Sequence, residues 1–140
     1  MLPQLDPRWQ LLRSRRRGTV ADLERLCIRY PAMPADYLRI AANLEEYELK
    51  HATGQYLRIW APTACFEMDE AHRISKRIPG SIAVADDGGD RVLLYLDGPD
   101  GFGLYRVGFG ALDAEEVRFV APTLADVLSH SSGVRDDDIW

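Results

Sequence analysis

The sequence predicts an α+β fold: a single domain with a mostly antiparallel sheet, flanked by N-terminal helices and one C-terminal helix. Three observations predict it. The first third carries apolar residues at helical spacing. The middle carries short β-rich runs joined by Asp- and Gly-rich turns. Near the end, Thr123 stands before one more apolar-periodic stretch. Turns this short favour antiparallel neighbours, because a parallel crossover needs a dozen or more residues.

Taken in order, Asp6-Pro7 reads as a helix start with proline at the first helical position, and Trp9, Leu11 and Leu12 give that segment a short apolar face closed by Gly18. Thr19 is an N-cap candidate for a second helix, whose Val20, Leu23, Leu26 or Cys27, and Tyr30 recur at helical spacing. Pro31 and Pro34 interrupt it. Pro34-Ala35-Asp36 restarts a helix with Tyr37, Leu38, Ala41 and Leu44 on its apolar side, and Glu45, Glu46 and Glu48 follow on the way out. Residues 55–60 alternate as a strand. Residues 62–72 predict a short helix opened by Pro62. Residues 81–86 and 91–96 flank Asp87-Gly88-Gly89-Asp90, a strong hairpin signal. Residues 103–107 and 117–120 are further strands, and Thr123 caps a last helix through Leu124, Val127 and Leu128. This divides the chain into a basic N-terminal helical segment (1–18) packed on or flanking the domain, the α+β domain proper (19–130), and an acidic C-terminal tail (131–140).

Composition bounds the function. Formal net charge is −5, and it is unevenly spread: residues 1–17 hold five arginines against Asp6 alone, while the remainder holds twelve basic against twenty-one acidic residues. An acidic body repels phosphate backbones, which argues against nucleic acid as a partner, and it favours encounter with a basic one. Trp9 beside the arginines of residues 13–17 has the ingredients of single-strand binding, but Trp9 with Leu11 and Leu12 reads better as a core-facing stripe. No apolar run approaches the ~20 residues of a membrane helix, and no signal peptide is visible. Cys27 and Cys65 lie in apolar-periodic segments and read as buried, reduced thiols. The expected location is the cytoplasm.

Catalytic patterns are missing. His51, His72 and His130 are scattered, two isolated cysteines cannot complete a zinc site, and the Asp-rich turns fail the calcium-loop frame at Gly88 and Pro99. The glycines at 98, 101 and 103 have the wrong spacing for a dinucleotide loop, and no lysine suits a phosphate loop. Glu67 and Glu70 share a helix face but read as solvated. The sequence therefore predicts no catalytic residue, no cofactor, no metal and no enzymatic activity.

An ordered set of motifs carries a resemblance. Glu24 in an amphipathic helix precedes Met33-Pro34-Ala35-Asp36-Tyr37, which matches a pattern E…LP-x-D-Y. A strand ending in Ile59-Trp60 and a helical stretch to His72 follow. Then comes Pro79-Gly80-Ser81-Ile82-Ala83-Val84-Ala85-Asp86-Asp87-Gly88-Gly89, similar to a PG-x-I-x-I-A-x-DGGG hairpin, and a capped helix closes the run. Over roughly residues 8–130 the chain resembles the SUKH superfamily, which joins bacterial toxin-immunity proteins with a fungal cell-wall synthesis regulator. It departs from that pattern at Met33 for leucine, at Asn43-Leu44 for Asn-Gly, and at Asp90 for a third glycine.

The resemblance implies a non-enzymatic protein-binding module. The first expectation is an immunity protein that neutralises a cognate toxin by tight binding, its partner a basic toxin domain. The alternative is a regulatory scaffold of cell-wall or stress control with a resident protein partner. The candidate partner-binding residues are Asp86, Asp87 and Asp90 at one hairpin tip, Asp97 and Asp100 on the neighbouring turn, and Phe102 as an exposed anchor. Trp60 is expected in the core.

Overall fold

The structure, a computed structural model, describes residues 2–129. One antiparallel sheet of seven strands runs through the molecule in chain order. Its strands are β1 (Trp9–Arg16), β2 (Glu45–His51), β3 (Tyr56–Ile59), β4 (Ile82–Asp86), β5 (Arg91–Gly98), β6 (Gly101–Gly108) and β7 (Arg118–Ala121). Two helices, α1 (Val20–Arg29) and α2 (Ala35–Ala41), separate β1 from β2. Two more, α3 (Pro62–His72) and α4 (Ile74–Arg77), separate β3 from β4, and α5 (Leu124–Ser129) closes the described chain. The α+β architecture is the one expected from sequence.

The sheet's centre is covered on both faces. All of β4 is buried, as is the run Val92 to Leu96 of β5, so these strands are continuously apolar and do not alternate. Tyr95 ties the layers together. Its hydroxyl donates to Asp36 Oδ2 on α2 (2.7 Å) and accepts from the backbone N–H of Leu124 at the start of α5 (2.8 Å). The Tyr37 hydroxyl on α2 donates to the Trp60 carbonyl (2.5 Å), and Trp60 is buried as expected.

The helix starts follow the sequence. Thr19 and Asp22 form a reciprocal capping box on α1, Pro62 opens α3, and the Thr123 hydroxyl accepts from the Asp126 N–H at α5. Two residues past the C-cap of α2, Leu44 takes a positive φ (64°) with its N–H on the Ala41 carbonyl (2.8 Å), in the place where the resembled pattern has glycine, so the chain turns into β2 without it.

Two expectations are corrected. Residues 9–16 form an edge strand, not a helix, and are an integral part of the sheet. Glu45 to His51 is a strand too, paired with β1 from Trp9↔His51 to Arg16↔Glu45. The basic segment is thereby neutralised in space. Arg13 pairs with Glu48 (2.7 Å), and Arg15 and Arg17 both reach Glu46 (3.4 and 3.6 Å). The charge asymmetry of the sequence is largely an effect of chain order. Arginines on an exposed edge also discourage pairing with a further strand. Ahead of β1, Leu5 packs on the core and the Trp9 indole donates to the Val127 carbonyl (3.2 Å). The acidic tail at 131–140 and His130 lie outside the described residues.

Candidate functional site

The six predicted partner-binding residues fall into three environments. Asp86 is 1% exposed and is corrected from a tip residue to a buried anchor. It ends β4 opposite Arg58. Its Oδ2 accepts two bonds from the Arg58 guanidinium (3.0 and 2.7 Å) and one from the Trp60 indole N–H (2.6 Å), while Oδ1 accepts from the Gly88 N–H (2.6 Å). Burial works against the Arg58 charge, but the hydrogen bond and charge of Asp86 outweigh it and raise the Arg58 pKa. Asp87 turns back on its own loop, accepting from Gly89 (2.8 Å) and Arg91 (3.2 Å). Asp90 is exposed.

Asp97, Asp100 and Phe102 lie together at the β5–β6 hairpin, with Asp97 and Phe102 directly opposite each other. All three are exposed. Phe102 is 50% exposed and stacks on the buried Tyr95 ring (centroids 6.0 Å, interplanar angle 10°). The Tyr105 hydroxyl pins the turn, donating to the Gly101 carbonyl (2.7 Å) and accepting from the Asp100 N–H (2.9 Å). The two predicted tips do not form one patch. They sit at opposite ends of β5, whose eight residues span about 26 Å at ~3.3 Å per residue.

Asp86 belongs instead to a row of alternating charge crossing four strands, Arg13–Glu48–Arg58–Asp86. The row runs from solvent, where the Arg13 side chain is 64% exposed, to the sealed Asp86. Tyr56 donates to Glu48 from the same strand as Arg58. That hydrogen bond, with Arg13 and Arg58 adding to it against the opposing effect of burial, holds the Glu48 carboxyl below its ordinary pKa. Sequence reading missed the row because strand register sets it.

A second missed constellation lies between α1 and the α3–α4 junction. It is a groove of about 450 Å³ lined by Arg25, Arg29, Tyr30, Phe66, Asp69, Glu70, Arg73, Ser75 and Lys76. These residues come from three elements, so no local motif announces them. Glu67, on the same helix as Glu70, instead forms an ion pair with Arg17 (2.5 Å).

The cysteines differ. Cys65 is buried beside the Tyr37 hydroxyl (3.2 Å), and burial pushes its thiol pKa up to about 12. Cys27 is exposed, correcting the expectation of two buried thiols: α1 turns Leu26 and Tyr30 inward and leaves Val20, Cys27 and Ile28 outside. A chromogenic disulfide reagent at neutral pH is therefore expected to modify one thiol in the native chain, Cys27, and the second only on unfolding. Two fast-reacting thiols would show that Cys65 is not sealed.

His51 is buried and bonds within its turn to Thr53 (2.9 Å), while His72 packs its ring on Phe109 (4.3 Å between centroids). Among the described residues no three His, Cys, Asp or Glu side chains come together as a metal site, and no helix is long and apolar enough to cross a membrane. No model of a known protein family matches the chain, and no curated protein matches it.

Proposed function

We propose that the chain is a protein-binding module of SUKH type, an immunity protein that neutralises a cognate bacterial toxin by tight binding in the cytoplasm. The observation that carries the reading is the β5–β6 tip. An exposed aromatic is held on a buried ring, beside two exposed carboxylates, on a hairpin whose turn is pinned by a buried tyrosine. A rigid aromatic anchor with flanking acids suits a basic partner surface, since it loses little entropy on docking and its charges steer the encounter. The net charge of −5 acts in the same direction. Asp97, Asp100 and Phe102 are retained as contact residues; the buried Asp86 is not.

The test is co-expression with the product of the reading frame adjacent to its gene. The expected result is a stoichiometric complex with a protein that arrests growth when expressed alone and does not when this chain is present. Phe102→Ala should weaken the complex by about 2 kcal/mol, roughly 30-fold in Kd, and Asp97→Asn with Asp100→Asn should slow association. A neighbour product that is harmless, or equally toxic with and without this chain, would overturn the assignment.

A further inference from the structure

We propose that the groove between α1 and the α3–α4 junction is a binding site for a small polyanion carrying two phosphate groups. Four cations border it, Arg25 and Arg29 one turn apart on α1, and Arg73 and Lys76 across from them. Their concentration runs against the negative charge of the whole chain.

The two α1 arginines are preorganised. The Arg25 guanidinium lies 4.8 Å over the Phe66 ring and that of Arg29 4.7 Å over Tyr30. Stacking fixes the plane of a guanidinium and keeps its N–H edge available to donate, the geometry that matches phosphate oxygens; one Arg29 N–H already donates to the Ser75 hydroxyl (3.3 Å). Arg25 also donates to Asp22 (3.3 Å), a pair kept weak by the exposure of the arginine. Arg73 and Lys76 have no anionic partner among the described residues.

Two carboxylates share the groove and oppose an anion. Asp69 is buried and committed to the fold: it accepts from the Tyr30 hydroxyl, the Ser75 N–H (2.7 Å) and the Ser75 hydroxyl (2.8 Å), with Arg29 at 3.9 Å. Glu70 is exposed on the rim. Four cations against these two leave a surplus of two positive charges, which one monovalent carboxylate does not match and a polyvalent phosphate does; the two stacked guanidiniums, one turn apart, offer a donor edge to each of two phosphate groups. About 450 Å³ is the size of a small-molecule site, too small for a nucleic-acid strand, which the acidic remainder of the surface also repels.

Arg73 is one of only two non-glycine residues at positive φ among those described (56°). It sits at the junction of α3 and α4, where glycine is conformationally easier.

The experiment is calorimetric titration of the full chain with inorganic pyrophosphate at low salt, with orthophosphate and citrate as comparison anions. Saturable one-to-one binding is expected, about tenfold or more tighter than orthophosphate. Arg29→Ala and Arg73→Gly should each weaken it about tenfold, and Glu70→Gln should tighten it. Arg73→Gly keeps the backbone conformation, so its loss of binding is separable from unfolding by a thermal melt. Lack of saturation at millimolar pyrophosphate, citrate binding as tightly as pyrophosphate, or unchanged binding in the Arg73→Gly, Lys76→Ala double variant would each overturn the proposal.

Discussion

Asp86→Ala is expected to destabilise the chain by about 3 kcal/mol, lowering Tm by roughly 10 °C. The carboxylate accepts four hydrogen bonds from Arg58, Trp60 and Gly88. Removing it leaves the buried Trp60 indole N–H without a partner, at about 1–3 kcal/mol, and deprives Arg58 of its counter-charge. Arg58 keeps some solvent access, its side chain being 37% exposed, which holds the loss at the low end for a broken buried pair. Asp86→Asn retains acceptor oxygen and should lose less. Asp90→Asn, at an exposed residue two positions beyond the Gly88 turn, should stay within about 0.5 kcal/mol. Urea or thermal denaturation of the three variants separates the alternatives. If Asp86→Ala melts like Asp90→Asn, Asp86 is a surface residue and the buried anchor does not exist.

The Asp-Asp-Gly-Gly stretch shows where sequence reading reaches its limit. Its hairpin was legible, because Gly88 adopts positive φ (80°) between two apolar strands. Which aspartate belongs to the turn and which to the strand was not, because that depends on the pairing of Arg58 with Asp86 across a chain separation of 28 residues. The edge strand is hidden in the sequence for a related reason. Beyond Trp9 every residue of β1 is exposed, and Leu12 is an extra residue between the pairs Leu11↔Leu49 and Arg13↔Glu48, so the strand carries no sustained alternation. Asp6-Pro7 and the helix-favouring leucines and arginines then supplied a helical reading. In β2 the alternation was present, with Tyr47 and Leu49 buried between more exposed Glu48 and Lys50. It was obscured by a helix with no glycine to end it, since Leu44 turns the chain instead. Elements fixed by local chemistry, such as the Thr19 capping box and Pro62 at the start of α3, needed no such long-range information. Of the candidate site, the three residues of one short hairpin were found together. The groove of Arg25, Arg29, Arg73 and Lys76 could not be, since helix packing alone brings it into being.

The Asp36-Tyr37 pair of the resembled motif has a structural role, and this leads to the second large effect. Tyr95→Phe is expected to cost about 2–3 kcal/mol although it removes a single oxygen. That oxygen donates to Asp36 Oδ2 and accepts from the Leu124 N–H, and the Ala125 N–H reaches the same Asp36 oxygen (3.2 Å). One hydroxyl thus joins α2, β5 and the first turn of α5 in the interior. A phenylalanine of the same shape leaves a buried carboxylate oxygen and a buried N–H each short of a partner. The pH dependence carries the same signature. Burial, reinforced by the Asp36 charge and outweighing the Leu124 bond, raises the Tyr95 pKa in the folded chain. The stability due to that protonated hydroxyl is complete below the ordinary tyrosine value near ~10 and is lost as pH rises from there through the folded value. Tyr30, Tyr37, Tyr47 and Tyr56 are raised in the same direction, each with burial as the largest cause, so the wild-type chain should lose stability steeply above about pH 10. Tyr95→Phe removes one of these groups. Its urea midpoint should lie well below wild type at pH 7, and the gap should narrow as the pH is raised past 10. A gap that stays constant or widens on the alkaline side would mean that the Tyr95 hydroxyl is not the proton-bearing link between the sheet and its two helices.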